Sequence, residues 1–160
     1  MYFHFGNKRT LLKHVVDVSS VGDDDPVPLL ERPWTEQLRT APDGRAALAV
    51  WMGMSREIFL RVAPLLRIVR DAAGTDPEMA EQWRVNQEQR YVAHRALAQT
   101  LAEKGGLRPG LSIDEAADAL FALVSIEVFV LLTAERGWTP DRWEQWARHL
   151  AEAAVLDGSY

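Results

Sequence analysis

The sequence predicts an all-α protein that folds as an antiparallel helical bundle. Apolar residues recur every three or four positions over long stretches, and the alternation typical of a half-buried strand is almost absent. Glycine, proline and helix-capping residues separate these stretches. With 160 residues, of which 48% are hydrophobic, the chain is long enough to bury one core.

The first part of the chain combines a short helix with a long loop. Asn7 can cap a helix that continues to Val18, and Gly6 marks the turn before it. Residues 19–33 are rich in aspartate and proline, which predicts a mobile loop with a short turn at residues 34–39. The helix is too short to be stable alone, so the loop need not separate two domains.

The next helical pattern is divided by Pro64. A helix should begin near Asp43 and present one apolar face. That face comprises Ala47, Trp51, Met54, Ile58 and Val62. Because proline lacks a backbone N–H, Pro64 should end this helix or open a new one, with an apolar stripe over residues 65–72.

Three later helices have marked boundaries. Asp76, followed by Pro77, opens a long helix that the glycines at 105–106 end. Residues 112–115 have the pattern of a capping box, and the helix that they start is expected to run to Arg136. Thr139, followed by Pro140, starts the last helix, whose apolar stripe includes two tryptophans.

Composition and charge exclude several classes of function. The chain has no cysteine, which excludes thiolate metal sites, and its four histidines lack metal-ligand spacing. No phosphate-binding loop or nucleophile motif occurs, so we predict no metal, no cofactor and no enzymatic activity. The net charge is −5; residues 1–20 have a balance of +2, so the rest carry −7. Such an acidic body permits a terminal phosphate contact but does not wrap nucleic acid.

Residues 119–134 are apolar on nearly every side. The stretch looks too short to span a bilayer and the N-terminus does not resemble a signal peptide, so we expect a cytoplasmic protein without a membrane partner. A helix that is apolar all round needs burial on all sides. We predict a homodimer in which this helix and the last one close a four-helix bundle; the alternative is that both fill the monomer core. The predicted dimer interface comprises Leu120, Leu123, Val124, Val128, Leu131, Trp143, Trp146 and Leu150.

Polar groups interrupt the apolar stripe of the long helix that follows Asp76. Buried polar groups are costly unless they are paired, so they often line a cavity. We predict a mostly apolar ligand pocket; the alternative is that tryptophan and methionine fill the core while the polar groups reach its edge. The candidate ligand-binding residues are Trp51, Met54, Phe59, Trp83, Gln87, Tyr91, His94 and Glu127. Glu127 should be neutral or paired with a cation such as Arg90, Arg136 or Arg142.

The first twelve residues form a specific pattern, M-Y-F-H-F-G-N-K-R-T-L-L. This pattern resembles the end of the recognition helix and the start of the next helix in the TetR family of transcriptional regulators. Segments 63–73, 76–80, 106–112 and 115–146, the last including 135–143, also resemble a subset of that family. The chain departs from that subset at Ile126, where a proline is expected, and this should leave the helix straighter.

The resemblance implies a domain organisation. Residues 1–20 would be the remnant of a helix-turn-helix recognition helix and its connecting helix, residues 21–42 an acidic, proline-rich loop, and residues 43–160 a ligand-binding and dimerisation domain. The chain would begin inside the third helix of the DNA-reading module, so we expect no specific DNA binding by this chain alone. In the intact protein, Tyr2, His4 and Lys8 would contact DNA phosphates.

The function that the resemblance implies is ligand-responsive transcriptional regulation. A TetR-like regulatory domain would dimerise through its last two long helices, and a repressor of this kind would release operator DNA when a small, mostly hydrophobic effector binds. The alternative is a stand-alone dimeric helical module that binds a small molecule or a protein without touching DNA. A helical-bundle enzyme is a third hypothesis, which the missing catalytic motifs disfavour.

Overall fold

The protein, described by a computed structural model over residues 10, 14–15 and 33–158, is all-α in this part of the chain. The helices are α1 (Pro33–Thr40), α2 (Gly44–Ala72), α3 (Pro77–Glu103), α4 (Ile113–Leu123), α5 (Ile126–Val130) and α6 (Pro140–Val155). A π-helical turn over Leu131–Glu135 follows α5. Over the described ranges the backbone forms no strand beyond an isolated antiparallel bridge between Leu107 and Leu156. The predicted all-α class is therefore confirmed for these residues.

Helix starts follow the capping residues that the sequence indicates. Asp43 accepts a hydrogen bond from the Ala46 amide at 2.8 Å, and Asp76 accepts one from the Glu78 amide at 3.0 Å. Ser112 forms a complete capping box with Glu115. These side chains satisfy amides that have no partner within the first helical turn, which fixes where each helix begins.

The N-terminal predictions are tested only in part. The turn predicted at residues 34–39 is a helix, α1, which packs on α2. The loop predicted over 21–42 is therefore wrong for its last third, while residues 21–32 lie outside the described part. Of the helix predicted from Asn7 to Val18, only residues 10 and 14–15 are described, and these are helical.

The expected interruption at Pro64 is wrong, because α2 continues through this residue to Ala72. Proline cannot donate to the carbonyl four residues earlier, which belongs to Leu60. Pro64 and Leu60 both lie on the exposed side of α2, so water can solvate the carbonyl that proline leaves unpaired. The stripe predicted over 65–72 is also displaced: Leu66 and Val69 are buried, whereas Ile68 is 66% exposed.

The helix expected to run unbroken from residue 112 to Arg136 is interrupted at Val124 and Ser125. Val124 has φ −96° and ψ 65°, and Ser125 has φ −117° and ψ 148°, so neither is helical. The Ser125 hydroxyl accepts from the Val128 amide at 3.1 Å and caps α5. Replacing the expected proline by Ile126 therefore does not straighten the helix, because the serine cap produces the break without it.

Two glycines bring the start of α2 against the turn between α3 and α4. Gly105 has φ 66°, a left-handed conformation that glycine adopts without strain, and it ends α3 as expected. A Cβ atom on the next residue, Gly106, would lie 3.1 Å from the Gly44 Cα. The second glycine of the pair therefore permits close helix packing, a role that the sequence pattern did not reveal.

The core lies where α2, α3, α4 and α6 pack against one another. Its largest fully buried side chains are Trp143, Leu48, Met52, Leu97, Leu101, Leu120, Val62, Val69, Val124 and Val155. The predicted stripe of the last helix is displaced by part of a turn, because the buried positions of α6 are Trp143, Ala147, Ala151 and Val155. The small residues of α6 allow it to pack closely on α2 and α4.

The expectation that the apolar stretch is too short to cross a membrane needs correction. Ile113–Glu135, which contains it, comprises 23 residues and is long and apolar enough to do so by length and composition. A core helix of a soluble protein passes the same test. Within the protomer 44% of the most apolar window of this segment is buried, and α4 packs against α3 and α6.

Candidate ligand-binding site

A polar bridge connects α3 to α5. The Glu127 carboxylate accepts from the Gln87 amide nitrogen at 2.9 Å and from the Arg90 guanidinium at 3.1 Å. The side chains of Arg90 and Glu127 are 15% and 34% exposed. Of the three cations considered for Glu127, Arg90 is the one that pairs with it. Glu127 lies in the first turn of α5, directly after the break at Ser125, so the bridge joins α3 to the segment beyond the interruption.

Both members of this ion pair are charged at neutral pH. Burial raises the pKa of Glu127, but its own backbone amide, the charge of Arg90 and the bonds from Gln87 and Arg90 outweigh burial, so the pKa falls below its usual value. Burial lowers the pKa of Arg90, and the Glu127 carboxylate opposes this effect. The guanidinium remains protonated, and the two charges cancel.

His94 lies one turn beyond Arg90 on α3 and is only 3% exposed. Its Nδ1 is 2.7 Å from the Arg90 carbonyl oxygen, which can only accept, so Nδ1 carries the proton of the neutral ring. Burial lowers the pKa of His94 to about 4, which keeps the ring neutral at pH 7. The remaining nitrogen, Nε2, is a buried acceptor without a hydrogen-bond partner among the described residues.

Two tryptophans extend from this histidine in a row. The Trp51 ring contacts His94 edge to face, with 5.4 Å between centroids, and Trp34 contacts Trp51 in the same way at 5.7 Å. The Nε1 atoms of both tryptophans are buried and donate to no partner within the described ranges. Three polar ring nitrogens, two donors and one acceptor, therefore lie unsatisfied along one aromatic row.

Phe121 of α4 packs against the His94 ring as well. Its centroid is 6.1 Å from that of His94 and 5.7 Å from that of Tyr91, and the Arg90 guanidinium carbon lies 4.2 Å above its ring. Neither Phe121 nor Trp34 was predicted as a site residue. Phe121 belongs to a stretch whose pattern has no polar face to orient it, and Trp34 lies in a segment predicted as a loop.

The structure brings five of the predicted ligand-binding residues together: Trp51, Gln87, Tyr91, His94 and Glu127. Phe59 lies elsewhere, with Phe129 at 5.6 Å and Trp143 at 5.4 Å. It follows Trp51 by eight residues, about 12 Å along a helix, so both cannot reach one small site. Met54 and Trp83 are half-buried and pack against the core.

Phe59 instead lines an open groove of about 310 Å³ between α2 and the segment around the π-helical turn. The lining residues are Phe59, Leu60, Ala63, Pro64, Arg67, Phe129, Val130, Thr133, Ala134 and Pro140. The groove is separate from the cluster around His94, because no residue of that cluster lines it.

The predicted dimer interface divides into buried and accessible residues. Leu120, Val124 and Trp143 have no exposed surface within the protomer, so no partner can contact them, and the prediction is corrected for these three. Leu131 is 48% exposed. The other accessible members are Leu123, Val128, Trp146 and Leu150, all half-buried. Trp138, which was not predicted, contacts Trp146 at 5.8 Å between ring centroids.

The predicted phosphate contacts, Tyr2, His4 and Lys8, lie outside the described residues. Comparisons of the chain with protein-family models, with curated proteins and with solved structures found no match. The functional argument therefore depends on the chain's own residues and on their arrangement.

Proposed function

We propose that this chain is the sensing and dimerising part of a cytoplasmic, ligand-responsive transcriptional repressor of the TetR type. The observation that carries the proposal is the set of buried polar ring nitrogens without partners around His94 and Trp51. Native interiors satisfy nearly all buried polar atoms, so several unpartnered ring nitrogens along one row favour a site whose polar atoms a ligand would complete.

The position of the site supports a sensing role. His94 and Arg90 share α3, and Arg90 holds Glu127 on α5, just after the break at Ser125. A guest beside His94 that displaces Arg90 would loosen the bond between α3 and α5. A ligand shifts an equilibrium only if its contacts differ between the two states. The Arg90–Glu127 ion pair would be present in one state and broken in the other.

A dimer would place the apolar surface of the last helices out of water. The accessible members of the interface, from Leu123 to Leu150, lie on α4, α5, the π-helical turn and α6. A two-fold axis would bring the same patch of two protomers together. In such an arrangement, movement of α5 is transmitted to the partner, and the spacing of two DNA-reading modules would change with it.

Leu131→Glu should convert this dimer into a monomer. Leu131 is 48% exposed in the protomer, so the fold tolerates a charge there, whereas a dimer would bury two unpaired carboxylates. Sedimentation should give twice the 18.0 kDa protomer mass for the unmodified chain and the protomer mass for the variant. Ile68→Glu, at a 66% exposed position of α2, is the matched control and should remain dimeric. A monomeric unmodified chain at high concentration would contradict the proposed interface.

The regulatory function is tested in the cell. The protein, tagged at its C-terminus and expressed from its own gene, should enrich a small number of discrete DNA sites in chromatin immunoprecipitation. Lys8→Ala should lower the occupancy of all sites alike, because a phosphate contact carries no sequence information. Absence of enriched sites relative to an untagged strain would refute DNA regulation and favour the stand-alone dimeric binding module.

A further inference from the structure

The chemistry of the site restricts its ligand. The unpartnered atoms of the aromatic row are an acceptor, His94 Nε2, and two donors, Nε1 of Trp34 and Nε1 of Trp51, and the Arg90 Nε beside the row is a further donor without a partner among the described residues. Leaving a buried donor or acceptor unsatisfied is unfavourable. A ligand that supplies both a donated proton and a lone pair would satisfy atoms of both kinds along the row.

The two charges of the polar bridge beside His94 cancel. Arg90 and Glu127 neutralise each other, and the His94 ring is neutral because Nδ1 holds its only proton. A carboxylate or an ammonium group beside His94 would therefore be buried without a counter-charge, which is strongly unfavourable. The arrangement favours a ligand without net charge.

The surfaces around His94 are flat. The indole of Trp51 and the ring of Phe121 both contact it, at 5.4 Å and 6.1 Å between centroids. Aromatic rings pack favourably on such surfaces in edge-to-face or offset arrangements. We propose, on the basis of the sensing function above, that the site takes an uncharged aromatic alcohol whose hydroxyl group donates to His94 Nε2 and accepts from Trp51 Nε1.

Carboxylate, ammonium and ether groups do not satisfy both atoms. A carboxylate has no proton for His94 Nε2, an ammonium has no lone pair for Trp51 Nε1, and an ether accepts but cannot donate. A site built to bond a hydroxyl discriminates strongly against an analogue that lacks it, because its own polar atoms are then left unpaired. The hydroxyl proton is therefore the feature that the test should vary.

Calorimetric titration with three probes of one ring size tests this inference. We expect 1-naphthol to bind at least about tenfold more tightly than 1-methoxynaphthalene, which lacks the proton. We expect 1-naphthoate, which is anionic at pH 7, to show no measurable binding. Equal affinities of the alcohol and the ether, tighter binding of the anion, or no binding of any probe would overturn the inference.

Two variants assign the effect to the named atoms. His94→Asn keeps an amide that can donate to the Arg90 carbonyl but removes Nε2, and Trp51→Phe keeps an aromatic ring but removes Nε1. Each should weaken 1-naphthol about tenfold and change the ether less than twofold, while Trp83→Phe, at a tryptophan outside the row, should change neither. Thermal unfolding of each variant verifies that it is folded. Unaltered 1-naphthol affinity in both folded variants would refute the assignment.

The outcomes separate this inference from the proposed function. If the protein dimerises and occupies discrete DNA sites but does not bind 1-naphthol more tightly than 1-methoxynaphthalene, the proposed ligand class is wrong and the repressor proposal stands. If the chain prefers 1-naphthol but the protein expressed from its own gene enriches no DNA site, the repressor proposal is overturned and the binding site is kept. The two proposals can therefore fail independently.

Discussion

Trp143→Ala should lower the free energy of unfolding by about 4 kcal/mol. Trp143 has no exposed surface and packs edge to face on Phe129 at 5.0 Å and beside Phe59 at 5.4 Å. Removing the indole deletes the largest fully buried side chain and leaves a cavity between α2, α5 and α6 that the surrounding helices can fill only in part.

Urea unfolding followed by circular dichroism measures this loss, with Trp83→Ala as the control. Trp83 is half-buried, so the same truncation should cost clearly less there. The sequence predicted that Trp143 lies between protomers, whereas the structure places it in the core. The same measurement therefore tests which of the two positions is correct. If the loss of unfolding free energy caused by Trp143→Ala depended on protein concentration, Trp143 would lie in the dimer interface. The core packing described above would then be contradicted.

Helix starts could be predicted from the sequence because their causes are local. Asp43, Asp76, Ser112 and Thr139 each bond an amide two or three residues ahead, so the information lies within one turn of the chain. The same holds for Gly105 at the end of α3. None of these assignments required knowledge of which helices pack together.

The errors in the fold arise where local signals are ambiguous. Proline ends most helices, but Pro64 lies on an exposed side where the missing hydrogen bond can be replaced by water. Serine is unremarkable inside an apolar run, yet Ser125 caps a new helix once the chain turns at Val124. In both cases tertiary packing selects between two locally acceptable conformations.

The site was predictable to the extent that burial constrains polar groups. A lone carboxylate in an apolar run requires a partner, and Glu127 finds Arg90, one of the three cations considered. Phe121 could not be placed in the same way. Where a helix is apolar on every side, its pattern does not tell which side meets α3, which meets the core and which remains exposed.

Acidification from pH 6.5 to about 4 should remove about 3 kcal/mol of stability through His94 alone. Burial lowers the pKa of His94 from 6.5 in the unfolded chain to about 4 in the folded protein. Between these values the unfolded chain binds a proton that the folded protein does not, so stability falls as the pH falls and levels off below pH 4.

The charged groups nearest the ring act in a different range. Arg90, which stays protonated throughout, adds repulsion toward a histidinium, and burial is the larger cause of the lowered pKa. Glu127 has a pKa below its usual value, so its contribution persists at moderately acidic pH and is lost only as the pH falls through that lowered pKa. The loss due to His94 therefore begins at a higher pH than the loss of the ion pair.

His94→Asn isolates the effect of the imidazole, because it removes the titrating group and leaves Arg90 and Glu127 in place. Urea midpoints measured at pH 7, 5.5 and 4 should decline steeply for the unmodified protein and more gently for the variant, so that the stability difference between them shrinks as the pH falls. Equal slopes for the two proteins would mean that folding leaves the pKa of His94 unchanged, because the folded and unfolded chains would then bind its proton over the same pH range. This outcome would contradict the burial that lowers the pKa of the ring.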